Sequence, residues 1–311
     1  MERNTEIMAA ITVVGGINID IEGRPDKALV AADSNPGSVT VSVGGVGRNI
    51  VENVARLGGE VAMISLTGDD VMGQSARQQL EDLGVDVSGI QNLPGENTGM
   101  YLSILNHKND MELGICNMDI LERITPEFLA ERMEIFRRAS IVGLDCNLQP
   151  EALDYMTQIK EIPLFLDPVS ASKAVRVKPF IHRFHTVKPN RIEAELLSGI
   201  SIRDQSSLHH AGTWFLQQGV RRVFISLGEA GAYYRTAEEE GVVQSRTVNL
   251  VSATGAGDAF SAAILMGHIM GLSAEETAKM GIACSSFAME TQIAVNPTIS
   301  MADVCARMKE L

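Results

Sequence analysis

The chain has 311 residues, of which 45% are hydrophobic and 21% charged. That is enough apolar material for a large core, and it argues against a disordered chain. With 39 acidic residues against 26 basic ones, the formal net charge is -13. A field of that sign opposes nucleic acid and anionic membrane, so any phosphate site must rest on locally directed donors. Cys116, Cys146, Cys284 and Cys305 are far apart and form no C-x-x-C pair, which points to free thiols in a reducing cytoplasm. No signal-like or membrane-spanning apolar run is expected.

The β-branched run at 11–14, stopped by Gly15 and Gly16, predicts a buried strand. Residues 18–45 hold few helix formers and several turn signals around Asp33 and Pro36. Residues 47–57 carry Ile50, Val54 and Leu57 at helical spacing and end at Gly58 and Gly59, predicting a helix. A strand at 61–66 and a helix at 69–83 follow. Residues 99–116 read as a hairpin about a polar turn at 106–110 and, with 18–45, predict a small antiparallel sheet projecting from the main body. Thr125 before Pro126 marks a helix start. Beyond it, strands at 141–144, 163–166 and 222–226 alternate with helices at 151–159, 191–198 and 206–218. The last third is helical at 255–270, 274–290 and 301–309, the final helix opened by Ser300 and Asp303. This alternation predicts an α/β fold, its mostly parallel sheet covered on both faces, in one domain over 1–311.

Three segments carry candidate chemistry. At 252–260, small residues lead into a helix, so the backbone N–H groups of Gly255, Ala256 and Gly257 can converge on an anion. Asp258 falls in the first helical turn. There a carboxylate either takes the proton of an attacking hydroxyl or simply complements the helix dipole. At 43–49, Gly44, Gly45 and Asn49 form a turn that lets backbone approach a ligand. It is not a dinucleotide fingerprint, because Ile50 stands in the third glycine's place, and the chain has no P-loop sequence. At 188–193, Asn190 and Glu193 share a helix start and either hold water-coordinated Mg²⁺ or form a capping box. His182 with His185 and the adjacent His209 and His210 lack partners at metal-ligand spacing, and Trp214 reads as a packing residue.

The segments 16–20 (Gly-Ile-Asn-Ile-Asp), 44–49, 190–193, 226–228 (Ser-Leu-Gly) and 254–258 occur in an order, over about 11–297, that resembles the ribokinase-like, PfkB-type carbohydrate kinase family. The resemblance implies a three-layer sandwich with a β lid formed from about 18–45 and 97–118. It implies ATP and Mg²⁺ as cofactors, Asp258 as the base, and Gly255, Ala256 and Gly257 as the anion hole. Asn18, Asp20, Gly44, Gly45 and Asn49 are implied to bind the sugar. Asn190, Ser226, Gly228, Gly257 and Asn296 are implied to bind the nucleotide, and Glu193 the Mg²⁺ through water.

Some positions depart from the pattern. Ser252 stands where many members carry an Asp that supports a monovalent cation, so Ser252 and Thr254 are a candidate K⁺ site whose occupancy is left open. Ala253 and Val51 also depart, and Val46 replaces a Lys seen in several ribokinases, which disfavours plain ribose. Segments 32–37, 94–98, 167–171 and 188–191 most resemble members acting on the 5′-hydroxyl of the C-glycosidic nucleoside pseudouridine. With that substrate, Ser34, Asn35, Asp145, Asn147 and Lys173 are further expected contacts. The alternatives are ribose, fructose or adenosine as substrate, or a nucleoside-binding regulator without turnover. Met100, Leu102 and Ile104 on one lid face predict a homodimer through the lids.

Overall fold

A computed structural model describes residues 11–108, 110–246 and 250–311. Strand β1 (Ile11–Val14) continues into β2 (Asn18–Pro25), which returns as β3 (Gly37–Gly44). A helix at Val46–Arg56, β4 (Val61–Gly68), a helix at Val71–Asp82 and β5 (Asp86–Leu93) come next. β6 (Gly99–Leu105) and β7 (Met111–Asn117) form the hairpin. β8 (Ile141–Asp145), β9 (Leu164–Asp167), β10 (Thr186–Val187) and β11 (Arg222–Ser226) are separated by helical segments. After β12 (Ala232–Arg235) and β13 (Glu240–Val243), helices Ala256–Ile269, Ala274–Met289 and Met301–Met308 complete the chain.

Nine strands make the large sheet, in the order β13-β12-β11-β10-β9-β8-β1-β4-β5. All pairs from β11 to β5 are parallel, while β12 and β13 add an antiparallel edge. The period-2 alternation of strand side chains divides the core in two. Ile11, Val13, Phe165 and Phe224 pack with the three C-terminal helices and helix Val46–Arg56. Val14, Leu164, Leu166, Val223 and Ile225 pack on the opposite face with helices such as Pro150–Thr157 and Gln205–Gln217. The result is the three-layer sandwich. Helix starts are fixed where the sequence supplies caps: Thr125 accepts from Phe128 N–H (3.3 Å), and Ser300 accepts from Asp303 N–H (3.2 Å). Among the described residues, no helix is long and apolar enough to cross a membrane.

The lid is a four-stranded sheet in the order β3-β2-β6-β7. Both outer pairs are antiparallel, and the middle pair, β2 with β6, runs parallel. Ile21 lies opposite Val41 and Leu102, and Leu102 opposite Ile115, so these residues share one face. Asp20, Ser42 and Tyr101 share the other. Val39, Val41, Leu113 and Ile115 are exposed, each by half or more of its surface. One lid face is thus apolar and open, and the other is polar.

Candidate active site

Parallel pairing brings the carboxyl ends of β1, β8, β9 and β10 to one edge, where open α/β sheets bind ligands. Asp145 ends β8 and is fully buried. Its Oδ2 accepts from Gly16 N–H (3.1 Å) and Gly47 N–H (3.1 Å), and its Oδ1 from Asn147 N–H (2.8 Å). Glycines make this possible: a Cβ on Gly15 would strike the Asp145 carboxylate, and one on Gly47 would lie 2.8 Å from Gly15 Cα. Burial pushes the Asp145 pKa up, against the pull of the N–H donors. Asp145, expected as a substrate contact, clamps the β1 turn to the start of helix Val46–Arg56 through its backbone hydrogen bonds.

The glycine–asparagine loop at 44–49 is built on that clamp. Gly45 has φ +103°, and a Cβ there would collide with the Gly16 carbonyl. Gly44 sits against the Asp20 carboxylate, which Asn18 Nδ2 reaches at 2.6 Å. Burial raises the Asp20 pKa, opposed by the Asn18 hydrogen bond and by Arg48. Asn49 donates through Nδ2 to Asp258 Oδ2 at 2.8 Å, joining the glycine–asparagine loop to the candidate base. Asn49 Oδ1 accepts from Arg48 at 3.0 Å, which fixes the orientation of the side-chain amide. Arg48, Glu52 and Arg56 form an i, i+4, i+8 ion-pair ladder along this helix. Its far end, Arg56, donates to the Pro297 carbonyl at 2.7 Å.

Asp258 lies in the first turn of helix Ala256–Ile269, behind Gly255. Gly255 has φ +80°, and any Cβ would collide with the Ala294 carbonyl. Burial, and then the neighbouring Asp167 charge, raise the Asp258 pKa to about 7, against the Asn49 hydrogen bond and the charge of Lys188. Lys188, beyond β10, is buried with Nζ 3.1 Å from Asp167 Oδ2. Removing one partner of such a pair costs about 3–5 kcal/mol. Burial disfavours the Lys188 charge, but Asp167 and Glu193 outweigh it and hold the pKa above its ordinary value. Asp167 also accepts from Ser261 Oγ (2.6 Å) and from Val169 N–H (2.9 Å). Val169 has φ +66°, rare for a β-branched residue and a strain of about 1–3 kcal/mol stored beside the site.

At the start of helix Arg191–Ser198, Asn190 and Glu193 make a reciprocal capping box. Asn190 Oδ1 accepts from Glu193 N–H (2.9 Å), and Glu193 Oε2 accepts from Asn190 N–H (2.8 Å). Glu193 Oε1 accepts from Asn190 Nδ2 at 2.9 Å, and burial raises the carboxyl pKa. Capping leaves lone pairs on both Glu193 oxygens, so the cap and a water-mediated Mg²⁺ contact are compatible. Among the described residues, no three His, Cys, Asp or Glu side chains converge as a metal cage. An ion that relies on substrate phosphates and waters fits this donor set. Ser226 pairs with Asn190 in an isolated parallel bridge, and Gly228 turns at φ +62° just beyond. Asn296 uses its amide locally, donating to the Phe287 carbonyl (2.9 Å) and accepting from Thr298 N–H (3.0 Å). Ser252 Oγ accepts from Thr254 N–H at 3.1 Å, within its own turn.

Two expected lid residues stand apart. Ser34 is exposed, and the Asn35 amide closes its own loop through Val30 N–H (2.8 Å) and the Val30 carbonyl (3.0 Å). Neither is hydrogen-bonded to another candidate site residue. Lys173 donates to the Asn147 carbonyl oxygen, which connects those two. Sequence reading missed Lys188, Asp167 and the Arg48 ladder as site components. The ladder was visible as a four-residue charge spacing. A lysine directly after an interior strand-like run was the available signal for Lys188.

A carboxylate in the first turn of a glycine-opened helix, facing a sugar-type glycine loop on a mixed α/β scaffold, defines a phosphotransferase with a hydroxyl acceptor. The chain belongs to the pfkB family of carbohydrate kinases, whose model matches residues 8–300. It is 38% identical over 296 residues to the pseudouridine kinase of Escherichia coli K12, covering 94% of this chain and 95% of that protein. It is 29% identical to the guanosine-inosine kinase of Exiguobacterium acetylicum, covering 88% and 92%. Among solved structures, a carbohydrate kinase from Agrobacterium tumefaciens aligns with TM-score 0.83 and 26% identity, covering 96% of each chain.

Proposed function

We propose that the protein transfers the γ-phosphoryl group of ATP to the 5′-hydroxyl of a ribose-containing nucleoside, with pseudouridine the favoured substrate. The observation that carries this reading is the Asn49–Asp258 hydrogen bond, which sets a sugar-type loop against a carboxylate at an anion-binding helix start. The identity to the Escherichia coli pseudouridine kinase favours the nucleoside over free sugars.

In this mechanism the nucleoside lies between lid and sheet, its ribose hydroxyls facing Asn18, Asp20, Gly44, Gly45 and Asn49. Asn147 and Lys173 extend that side, and Ser34 and Asn35 approach from the lid. ATP lies along Asn190, Ser226, Gly228 and Asn296. Asp258 takes the 5′-hydroxyl proton while that oxygen bonds to the γ-phosphorus. The bond to the β–γ bridging oxygen breaks and ADP leaves. The N–H groups of Gly255, Ala256 and Gly257 receive the charge on the transferring group. Mg²⁺, with Glu193 behind its water shell, supplies further charge neutralisation. Ser252 and Thr254 are the candidate monovalent-cation site. The apolar lid face forms a homodimer, and the protein works in the cytoplasm, where exposed Cys116 and Cys305 stay reduced.

ADP release with ribose, fructose, adenosine, uridine and pseudouridine tests the reading. Pseudouridine is expected to give the highest kcat/KM. A sugar or adenosine in first place would reassign the substrate, and binding without ADP formation would support the regulator.

A further inference from the structure

We propose that Lys188 is the positive floor of the anion hole: its buried ammonium, beneath Gly257, stabilises charge on the phosphoryl group as it transfers. The inference rests on the reading of Asp258 and its helix start as the phosphoryl-transfer site.

Three observations support it. A Cβ built on Gly257 meets one heavy atom within 4 Å beyond its chain neighbours and the helix's own backbone, and that atom is Lys188 Nζ at 3.4 Å. A group approaching this glycine therefore meets the ammonium. Second, the start of helix Ala256–Ile269 already carries partial positive charge, and the ammonium adds to that field at the same point. Third, the lysine has donors to spare. An ammonium offers three, and among the described residues Asp167 is its one ion-pair partner. Asp167 in turn is already served by Ser261 and Val169.

The surrounding charges give the lysine a task. Asp145 and Asp167 add negative charge around Asp258, Glu193 adds it around Lys188, and Arg48 and Lys188 oppose the charge of Asp258. Arg48 is committed to Glu52, to the Val43 carbonyl and to Asn49. Lys188 is the cation left to face a polyanionic substrate. It acts on the charge held in the hole and leaves proton transfer to Asp258.

A double-mutant cycle separates this role from mere neutralisation of Asp167. Lys188→Met, Asp167→Asn and the double variant are compared by kcat and nucleoside KM, using the best substrate of the panel, with thermal melting to confirm folding. Lys188→Met is expected to lower kcat about 100-fold or more while KM moves less than about threefold. In the double variant neither buried charge is orphaned, and its kcat is expected to lie about tenfold or more below that of Asp167→Asn. Equal kcat for Asp167→Asn and the double variant would overturn the proposal, since the lysine would then serve only its partner. Asp258→Asn in the same assay keeps the two ideas apart. If it retains turnover, the base assignment fails, whatever the cycle shows.

Discussion

Asp145 in the large sheet and Asn35 in the lid are both short polar side chains with their oxygens engaged, yet they anchor different things. Asp145 bonds to Gly16 and Gly47, which are 129 and 98 positions away in sequence. Asn35 bonds no further than Val30, five positions away. The sheet side of the site is therefore stapled across the whole chain, with Asn49 bonded to Asp258, 209 positions away. The lid loop is folded on itself, with Asn35 bonded to Val30 and Asp33. Catalysis needs reacting groups held in place, and substrate entry needs a cover that moves. The two regions divide these demands.

That division can be broken from either side. Asp258 apart, the largest effect is expected at Gly255→Ala, whose Cβ must displace either the Ala294 carbonyl or the helix start. A misplacement of about 1 Å costs on the order of 100-fold in rate, so kcat should fall at least that far in a steady-state assay. A pH profile comes next. With the Asp258 pKa raised to about 7, the carboxyl holds its proton below that pH and cannot serve as base. kcat/KM should therefore rise about tenfold between pH 6 and pH 8. Asp145→Asn removes a charged acceptor from three backbone donors and should cost about 1.5–3 kcal/mol, read as a lower Tm by calorimetry. On the lid side, Val41→Asp should leave Tm and kcat almost unchanged and shift the sedimentation profile from dimer to monomer. A wild-type monomer at micromolar concentration would remove the lid interface from the account.

Much of the architecture was legible because it rests on local rules. The strand at Ile11–Val14, the helix at Arg191–Ser198 and the caps at Thr125 and Ser300 follow from β-branched runs, glycine stops and capping side chains. The glycine-opened Asp258 helix and the glycine–asparagine loop were visible for the same reason. What stayed hidden is non-local. An Asp after a strand looks the same whether it faces a ligand or, as Asp145 does, two backbone N–H groups from elsewhere in the chain. The β2–β6 pairing is parallel because of where the main sheet delivers those strands, which no pattern inside the lid specifies. Lys188 acquires meaning only when Gly257 arrives above it from the last third of the sequence.

The most direct measurement is kcat for Asp258→Asn, a near-isosteric change that keeps the Asn49 neighbourhood filled, alongside nucleoside affinity by calorimetry. The structure predicts a 100- to 10,000-fold fall in turnover, on the order expected for loss of a general base, with nucleoside affinity and Tm little changed. Turnover within a few-fold of wild type would contradict the assignment of Asp258 as the base and, with it, the mechanism built around the anion hole.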